Sequence, residues 1–263
     1  MNVVENTNAT ERKYLGMVTQ ASYNFGDSVS MGGNYTWSHS HGNLEGETVN
    51  QGPSGASIGS YPEYRQTSWN APQGDLLIDQ RHRARFWGTF TLPSPSSASG
   101  VTLGIVQQVS SGVPYAAIGL INPSTFVDNP GYVTPLASTE YFFSGRDPFH
   151  TATNYRTDLS VNYSYRLLHA GGPQPELFFH GELLNVFRDF QLCGCGASVF
   201  NNGGSSDQTT INQGVRIIVP FNPFTTTPVR GVNWDLQPNF GTAVNAFSFT
   251  SPRIFRFSVG VRF

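Results

Sequence analysis

The side chains of this chain that could do chemistry are scattered rather than clustered. His39 and His41 alternate along an extended segment, which is the most suggestive spacing among the histidines. No cysteine lies near them, and no carboxylate stands at a convincing ligand spacing. We therefore interpret both as loop residues and predict no metal site. The six histidines are at positions 39, 41, 82, 150, 169 and 180.

The cysteines, Cys193 and Cys195, are separated by one glycine in LCGCGAS. A disulfide across so short a span is hard to form, and no nearby histidine or further cysteine completes a metal site. We interpret them as loop thiols without a special role. The sequence also contains no glycine-rich phosphate loop after a strand and no nucleophile elbow. We predict that the chain is not an enzyme and needs no cofactor.

Arginines recur at alternate positions in one segment, at Arg81, Arg83 and Arg85. Such a cluster could bind an anionic solute. The alternative is that these arginines pair with carboxylates such as Asp158 or Glu182.

The composition is poor in charge and rich in aromatic residues. Charged residues make up 12% of the 263 residues and aromatic residues 13%, whereas soluble domains carry about 25% charged residues. The net charge of −2, with Lys13 the only lysine, argues against a nucleic-acid partner. No run of 18 apolar residues is present, which excludes a membrane-spanning helix. The N-terminus, MNVVENTNAT, does not resemble a secretory signal.

Apolar and polar residues alternate with a period of two, which predicts β-strands. Seven segments follow this pattern, and Trp87 is the main exception. Their lengths suit tilted strands that cross a bilayer, which need about 9 to 11 residues. The predicted strands are residues 13–25, 29–38, 81–92, 101–109, 154–167, 176–187 and 254–263.

Short and long connections alternate between these strands. Turns at 26–28, 93–100 and 168–175 are short, whereas 38–80, 112–152 and 188–250 are long and rich in Gly, Ser, Asn and Pro. Outer-membrane barrels have short periplasmic turns and long extracellular loops. We predict an all-β fold, an antiparallel up-and-down transmembrane β-barrel segment of about seven long strands. A soluble β-sandwich is the alternative that the period alone leaves open.

In a barrel, the apolar side of each strand meets lipid and the polar side faces the lumen. The charged strand residues fall on the polar side, and several aromatic residues lie near strand ends on the lipid side, as in an aromatic girdle. The candidate lumen-facing residues are Arg83, Arg85, Arg156, Asp158, Arg166, Glu182 and Arg256. The candidate girdle residues are Tyr23, Phe25, Tyr35, Trp37 and Tyr165.

The last predicted strand, FRFSVGVRF, resembles the C-terminal assembly signal of bacterial outer-membrane proteins. The segment from PFTTTPVRG to the C-terminus, together with GNYTWSHS, DQRHRARFWGTFTLP and GELLNVFRDFQ, is similar to TonB-dependent receptors with Oar-like barrels. The alternating residues of the signal are Phe255, Phe257, Val259, Val261 and Phe263.

This resemblance implies a bacterial outer-membrane receptor that imports a bulky solute, driven through TonB, with a plug domain inside the barrel. The expected partners are outer-membrane lipid, the barrel assembly machinery, the TonB system and an unidentified solute. Residues 1–263 would be the C-terminal section of such a barrel, because nothing here resembles a plug or a TonB box and related transporters have 22 strands. A cell-surface or adhesion protein anchored by a barrel is the alternative.

Overall fold

In a computed structural model, the period-two segments form long β-strands. The structure describes residues 8, 10–43, 69–94, 96, 98–126, 139–167, 175–192 and 211–262, which contain no α-helix. No helix in these ranges has the length and apolar character needed to cross a membrane. The strands are β1 (Arg12–Phe25), β2 (Val29–Gly42), β3 (Gly74–Asp75), β4 (His82–Leu92), β5 (Ser99–Ser110), β6 (Pro114–Tyr115), β7 (Ile118–Ile121), β8 (Thr139–Phe142), β9 (Phe149–His150), β10 (Asn154–Arg166), β11 (Glu176–Leu184), β12 (Val215–Ile217), β13 (Trp234–Leu236) and β14 (Ile254–Arg262). Pro123–Phe126 and Ala246–Ser248 form 3-10 helices.

The seven long strands form one antiparallel sheet in the order β1-β2-β4-β5-β10-β11-β14, and the short β3 pairs with the end of β2. The prediction of an all-β fold with about seven long antiparallel strands is confirmed. The sheet is open: within the described residues, β1 and β14 each pair with one neighbour only. Closure into a barrel is therefore not observed.

Two strand ends differ from the sequence prediction by three or more residues. β2 continues to Gly42, well beyond its predicted end, because β1 and β3 pair with its last residues. β11 ends at Leu184 rather than near Phe187. The next residue, Asn185, has a positive φ of 52°, and its backbone N–H donates to Asp158 Oδ1 at 2.9 Å. This turn leaves the sheet before the predicted strand end.

The exception to the alternation, Trp87, has a packing reason. Its side chain lies on the polar side of β4, opposite Gly32 of β2. A Cβ atom at Gly32 would stand only 2.7 Å from Trp87 Cζ2, so the indole ring covers the space that the glycine leaves empty. Aromatic cover of a strand glycine is a recurrent stabilising device in sheets.

Among the described residues, the buried apolar side chains lie in the long connections and not in the seven long strands. Rings meet edge to face there, with centroids 4.9 Å apart for Tyr141 and Phe143 and 5.6 Å apart for Tyr141 and Phe221. We call this cluster the loop core. Its buried residues are Ala117, Ile121, Tyr141, Phe143, Val215, Phe221 and Trp234. The predicted loop thiols, Cys193 and Cys195, lie outside the described residues.

Candidate functional site

One face of the long sheet is apolar across its full width. A single row of directly paired residues crosses all seven long strands and contains only apolar side chains and one glycine. We call this side of the sheet the apolar face. The row is Tyr23, Met31, Gly88, Ile105, Leu159, Leu183 and Phe255.

The opposite side of the sheet, the polar face, carries the neighbouring residue of each strand. Its adjacent row contains no apolar side chain, because side-chain direction alternates along a strand. The row is Asn24, Ser30, Thr89, Gly104, Ser160, Glu182 and Arg256. Along these two adjacent rows, polarity therefore separates the two sides of the sheet over its full width, and not only within single strands.

The apolar face is exposed in this chain. Phe257 and Val259 on the edge strand β14 are 69% and 76% exposed, and even Leu159 on the central strand β10 is 40% exposed. Along β1 the apolar face runs from Leu15 to Phe25, which for tilted strands corresponds to a band about 25 Å tall. This is the height of the lipid-facing band of outer-membrane barrels.

All seven candidate lumen-facing residues lie on the polar face. The two acidic ones are paired: Arg156 Nε is 2.9 Å from Asp158 Oδ1, and Arg256 Nη1 is 3.8 Å from Glu182 Oε2. Asp158 and Glu182 therefore pair with arginines outside the predicted cluster at positions 81, 83 and 85. Arg166, at the end of β10, lies directly opposite Glu176 of β11.

Arg83 and Arg85 differ from those arginines. Both are exposed, and no carboxylate lies within ion-pair distance of either among the residues that the structure describes. Arg85 stands two strands away from Arg156 with Gln108 between them, a separation of about 10 Å at normal strand spacing. The polar face therefore presents cationic groups that carboxylates of the described sheet do not neutralise.

The C-terminal strand β14 forms the far edge of the sheet. Phe255, Phe257, Val259 and Val261 all lie on the apolar face, opposite residues of β11. Phe263, the last residue predicted for the assembly signal, lies outside the described residues. The candidate girdle residues also lie on the apolar face: they are Tyr23, Phe25, Tyr35, Trp37 and Tyr165.

A second candidate group of side chains lies at the loop end of β2. The interpretation of His39 and His41 as loop residues is wrong, because both belong to β2. The short strand β3 pairs His41 with Asp75. Asp75 Oδ1 is 2.8 Å from His39 Nε2 and 3.5 Å from His41 Nδ1. Within the described residues, these three side chains form the group that could hold a metal ion.

Neighbouring residues hold Asp75 in place. Arg81 Nη2 donates to Asp75 Oδ2 at 2.6 Å, and Asp147 Oδ2 accepts the backbone N–H of Asp75 at 2.7 Å. Burial alone would raise the pKa of Asp75, but the hydrogen bond with His39 and the charge of Arg81 outweigh it, so that the pKa lies below its ordinary value. The carboxylate is thus ionised and oriented toward both histidines.

Asp75 is the candidate site residue that the sequence did not reveal. It lies in a two-residue strand without alternation, more than thirty residues from either histidine. The alternation of the two histidines was the only local feature of the sequence that pointed to this group. Comparison of the chain with protein-family models, curated proteins and solved structures gives no match.

Proposed function

We propose that this chain is a section of the transmembrane β-barrel of a bacterial outer-membrane receptor of the TonB-dependent, Oar-like type. Its role would be energy-coupled uptake of a bulky solute. The observation that carries the proposal is the pair of adjacent rows across the sheet, one apolar and one polar, on seven strands long enough to cross a bilayer.

The exposed apolar face is the first support. The largest apolar patch on a typical soluble monomer covers about 300 to 600 Å² and often has a function. Here the apolar side chains continue over every long strand, whereas the buried core belongs to the connections. Lipid is a solvent that accommodates such a face while the backbone stays fully paired within the sheet.

The open sheet is the second support. The outer edges of β1 and β14 carry backbone N–H and C=O groups without a strand partner in the described chain. In hydrocarbon, each such group would cost several kcal/mol, so a spanning sheet must close. Additional strands between these two edges would complete a barrel, and receptors of the proposed type have 22 strands.

The polar face supports a solute path. Arg83 and Arg85 lack carboxylate partners in the described sheet, and Arg156 lies on the same face. In a barrel, these groups would line the lumen and contact an anionic part of the solute or the plug. The loop core gives the connections a packed base from which they would capture the solute.

Cell fractionation tests the membrane part of the proposal. The full-length protein should be recovered with outer membranes and resist extraction by high salt and alkali, because hydrophobic burial rather than charge holds it there. Recovery in the soluble fraction without detergent would contradict the proposal and favour the β-sandwich.

The receptor part is tested separately by the complete reading frame that encodes this chain. A plug domain and a TonB box upstream of the strands support energy-coupled uptake. An intact frame in which strands follow a signal peptide directly, with no plug, would overturn it and favour the barrel-anchored surface protein.

A further inference from the structure

We infer that His39, His41 and Asp75 form a binding site for a divalent transition-metal ion, with Zn²⁺ the best-fitting one. The inference does not rest on the proposed transport function, because the three residues lie at the loop end of β2, beyond the apolar face. Two imidazoles and one carboxylate are a ligand set that suits zinc, iron, nickel or copper.

The distances between the candidate ligand atoms fit an ion with tetrahedral coordination. The candidate ligand atoms lie within 4.8 Å of one another. Zinc bonds of about 2.0 to 2.2 Å place tetrahedral ligand atoms about 3.3 Å apart. The separations of Asp75 Oδ1 from His39 Nε2 and His41 Nδ1, 2.8 and 3.5 Å, lie on either side of that value. Both separations of the carboxylate oxygen from an imidazole nitrogen are therefore close to the one that a tetrahedral zinc ion requires.

The two carboxylate oxygens of Asp75 have different partners. Arg81 occupies Oδ2, so Oδ1 is the oxygen that faces the histidines. Arg81 is itself held by Asp79 Oδ2 at 3.2 Å, and Asp79 Oδ1 accepts the backbone N–H of Ser40, the residue between the two histidines. Outer partners of this kind orient metal ligands.

Two coordination properties follow from this arrangement. The side chains of His39 and His41 are 35% and 40% exposed, so an ion has a path from solvent and keeps at least one open position. Three protein ligands with an open position are typical of zinc sites that bind a further ligand. The ion would also join β3 to β2, and so fix the long connection between β2 and β4.

Cobalt titration tests the site, because Co²⁺ in a tetrahedral zinc site gives visible absorption bands. The full-length protein in detergent, stripped with a chelator, should bind one equivalent of Co²⁺, which Zn²⁺ displaces. His39→Gln should weaken Co²⁺ binding by about 100-fold or more, since even the loss of an outer partner costs 10- to 100-fold. His150→Gln, which changes an exposed histidine on β9, should leave binding unchanged.

His41→Gln provides a second variant, and circular dichroism shows whether each variant folds. Folded wild-type protein without saturable Co²⁺ binding would overturn the inference and leave the three residues as a hydrogen-bonded network. Equal loss of affinity in His39→Gln and His150→Gln would also overturn it, because binding would then be spread over surface histidines.

Discussion

His39 Nε2 lies 2.8 Å from Asp75 Oδ1, although 36 residues separate the two in the chain. The contact depends on backbone pairing, because β3 adds to β2 only at His41↔Asp75 and Gly42↔Gly74. Next to these two pairs, the backbone N–H of Leu76 donates to Ser40 O at 2.9 Å. The pairing of β3 with β2 thus connects the loop end of the large sheet to the first long connection.

A charge on the apolar face should be far more damaging than the same charge on the polar face. Leu159→Arg places an arginine near the middle of β10, where burial in hydrocarbon costs about 2–4 kcal/mol at the bilayer centre. Ser160→Arg, one residue away, directs the charge to the polar face, opposite Glu182. The folded fraction in lipid vesicles should fall for the first variant only. Equal loss in both would contradict the assignment of the faces.

Substitutions in the C-terminal strand β14 should likewise have different effects on the apolar face and on the polar face. Phe257→Asn should reduce assembly of the full-length protein into outer membranes several-fold, because it removes an exposed aromatic residue from the predicted assembly signal. Ser258→Asn, on the polar face, is the matched control and should assemble normally. Quantitative immunoblotting of outer membranes measures both. Normal assembly of Phe257→Asn would remove the support for such a signal.

The buried Arg146 should stabilise the connections. Its guanidinium donates to Asn43 O and Pro72 O, each at 3.0 Å, and lies over the ring of Phe142. Arg146→Met leaves these two carbonyl groups without that donor. The loss should destabilise the connections, because each unsatisfied group that is buried costs about 1–3 kcal/mol. Hydrogen exchange of the Phe143 N–H, which donates to Ala117 O, reports the opening of the loop core.

The control for that variant is Arg216→Met, because the Arg216 side chain is 66% exposed and lies 3.9 Å from Asp235. An exposed change of this kind should alter the free energy of opening by no more than about 0.5 kcal/mol. If the two variants accelerate exchange equally, the burial of Arg146 does not stabilise the loop core.

The loop core should lose stability in alkali. Burial raises the pKa of Tyr141, because the phenolate is disfavoured away from water. A group whose pKa is raised by folding stabilises the folded protein fully at pH values below its unfolded-state pKa, which is about 10 for tyrosine. This contribution is lost as the pH rises through the folded-state pKa. Thermal unfolding between about pH 9 and 12 should show the loss.

Tyr141→Phe is the matched variant, because it keeps the ring and removes the ionisable hydroxyl. The alkaline loss should become smaller without disappearing, since burial also raises the pKa of Tyr115. An identical alkaline profile for the variant and the wild type would show that Tyr141 does not ionise in this transition.

The sequence predicted the strands and their faces because both depend on local alternation. In β10, for example, Leu159 and Ser160 point to opposite sides whatever the rest of the chain does. The extension of β2 to Gly42 was not predictable in this way, because it depends on β3, a partner of two residues. The same long-range pairing supplies Asp75, which is why the histidines alone did not indicate a site.

The long connections were predicted from their Gly, Ser, Asn and Pro content, but their loop core was not. Tyr141, Phe143, Phe221 and Trp234 come from two different connections and follow no shared period. Their contacts arise only when those connections pack together. The residue pattern of a single segment contains no information on such packing.

Spin-label accessibility along β10 tests the central claim, that the apolar face of this sheet meets lipid. Single cysteines at Leu159, Ser160, Val161 and Asn162, in a background with Cys193→Ser and Cys195→Ser, place labels alternately on the two faces. In native membranes, dissolved oxygen should reach labels at 159 and 161 best, and a polar nickel chelate should reach labels at 160 and 162 best. Equal access of the nickel chelate to all four positions would contradict the account, because the apolar face would then be in water.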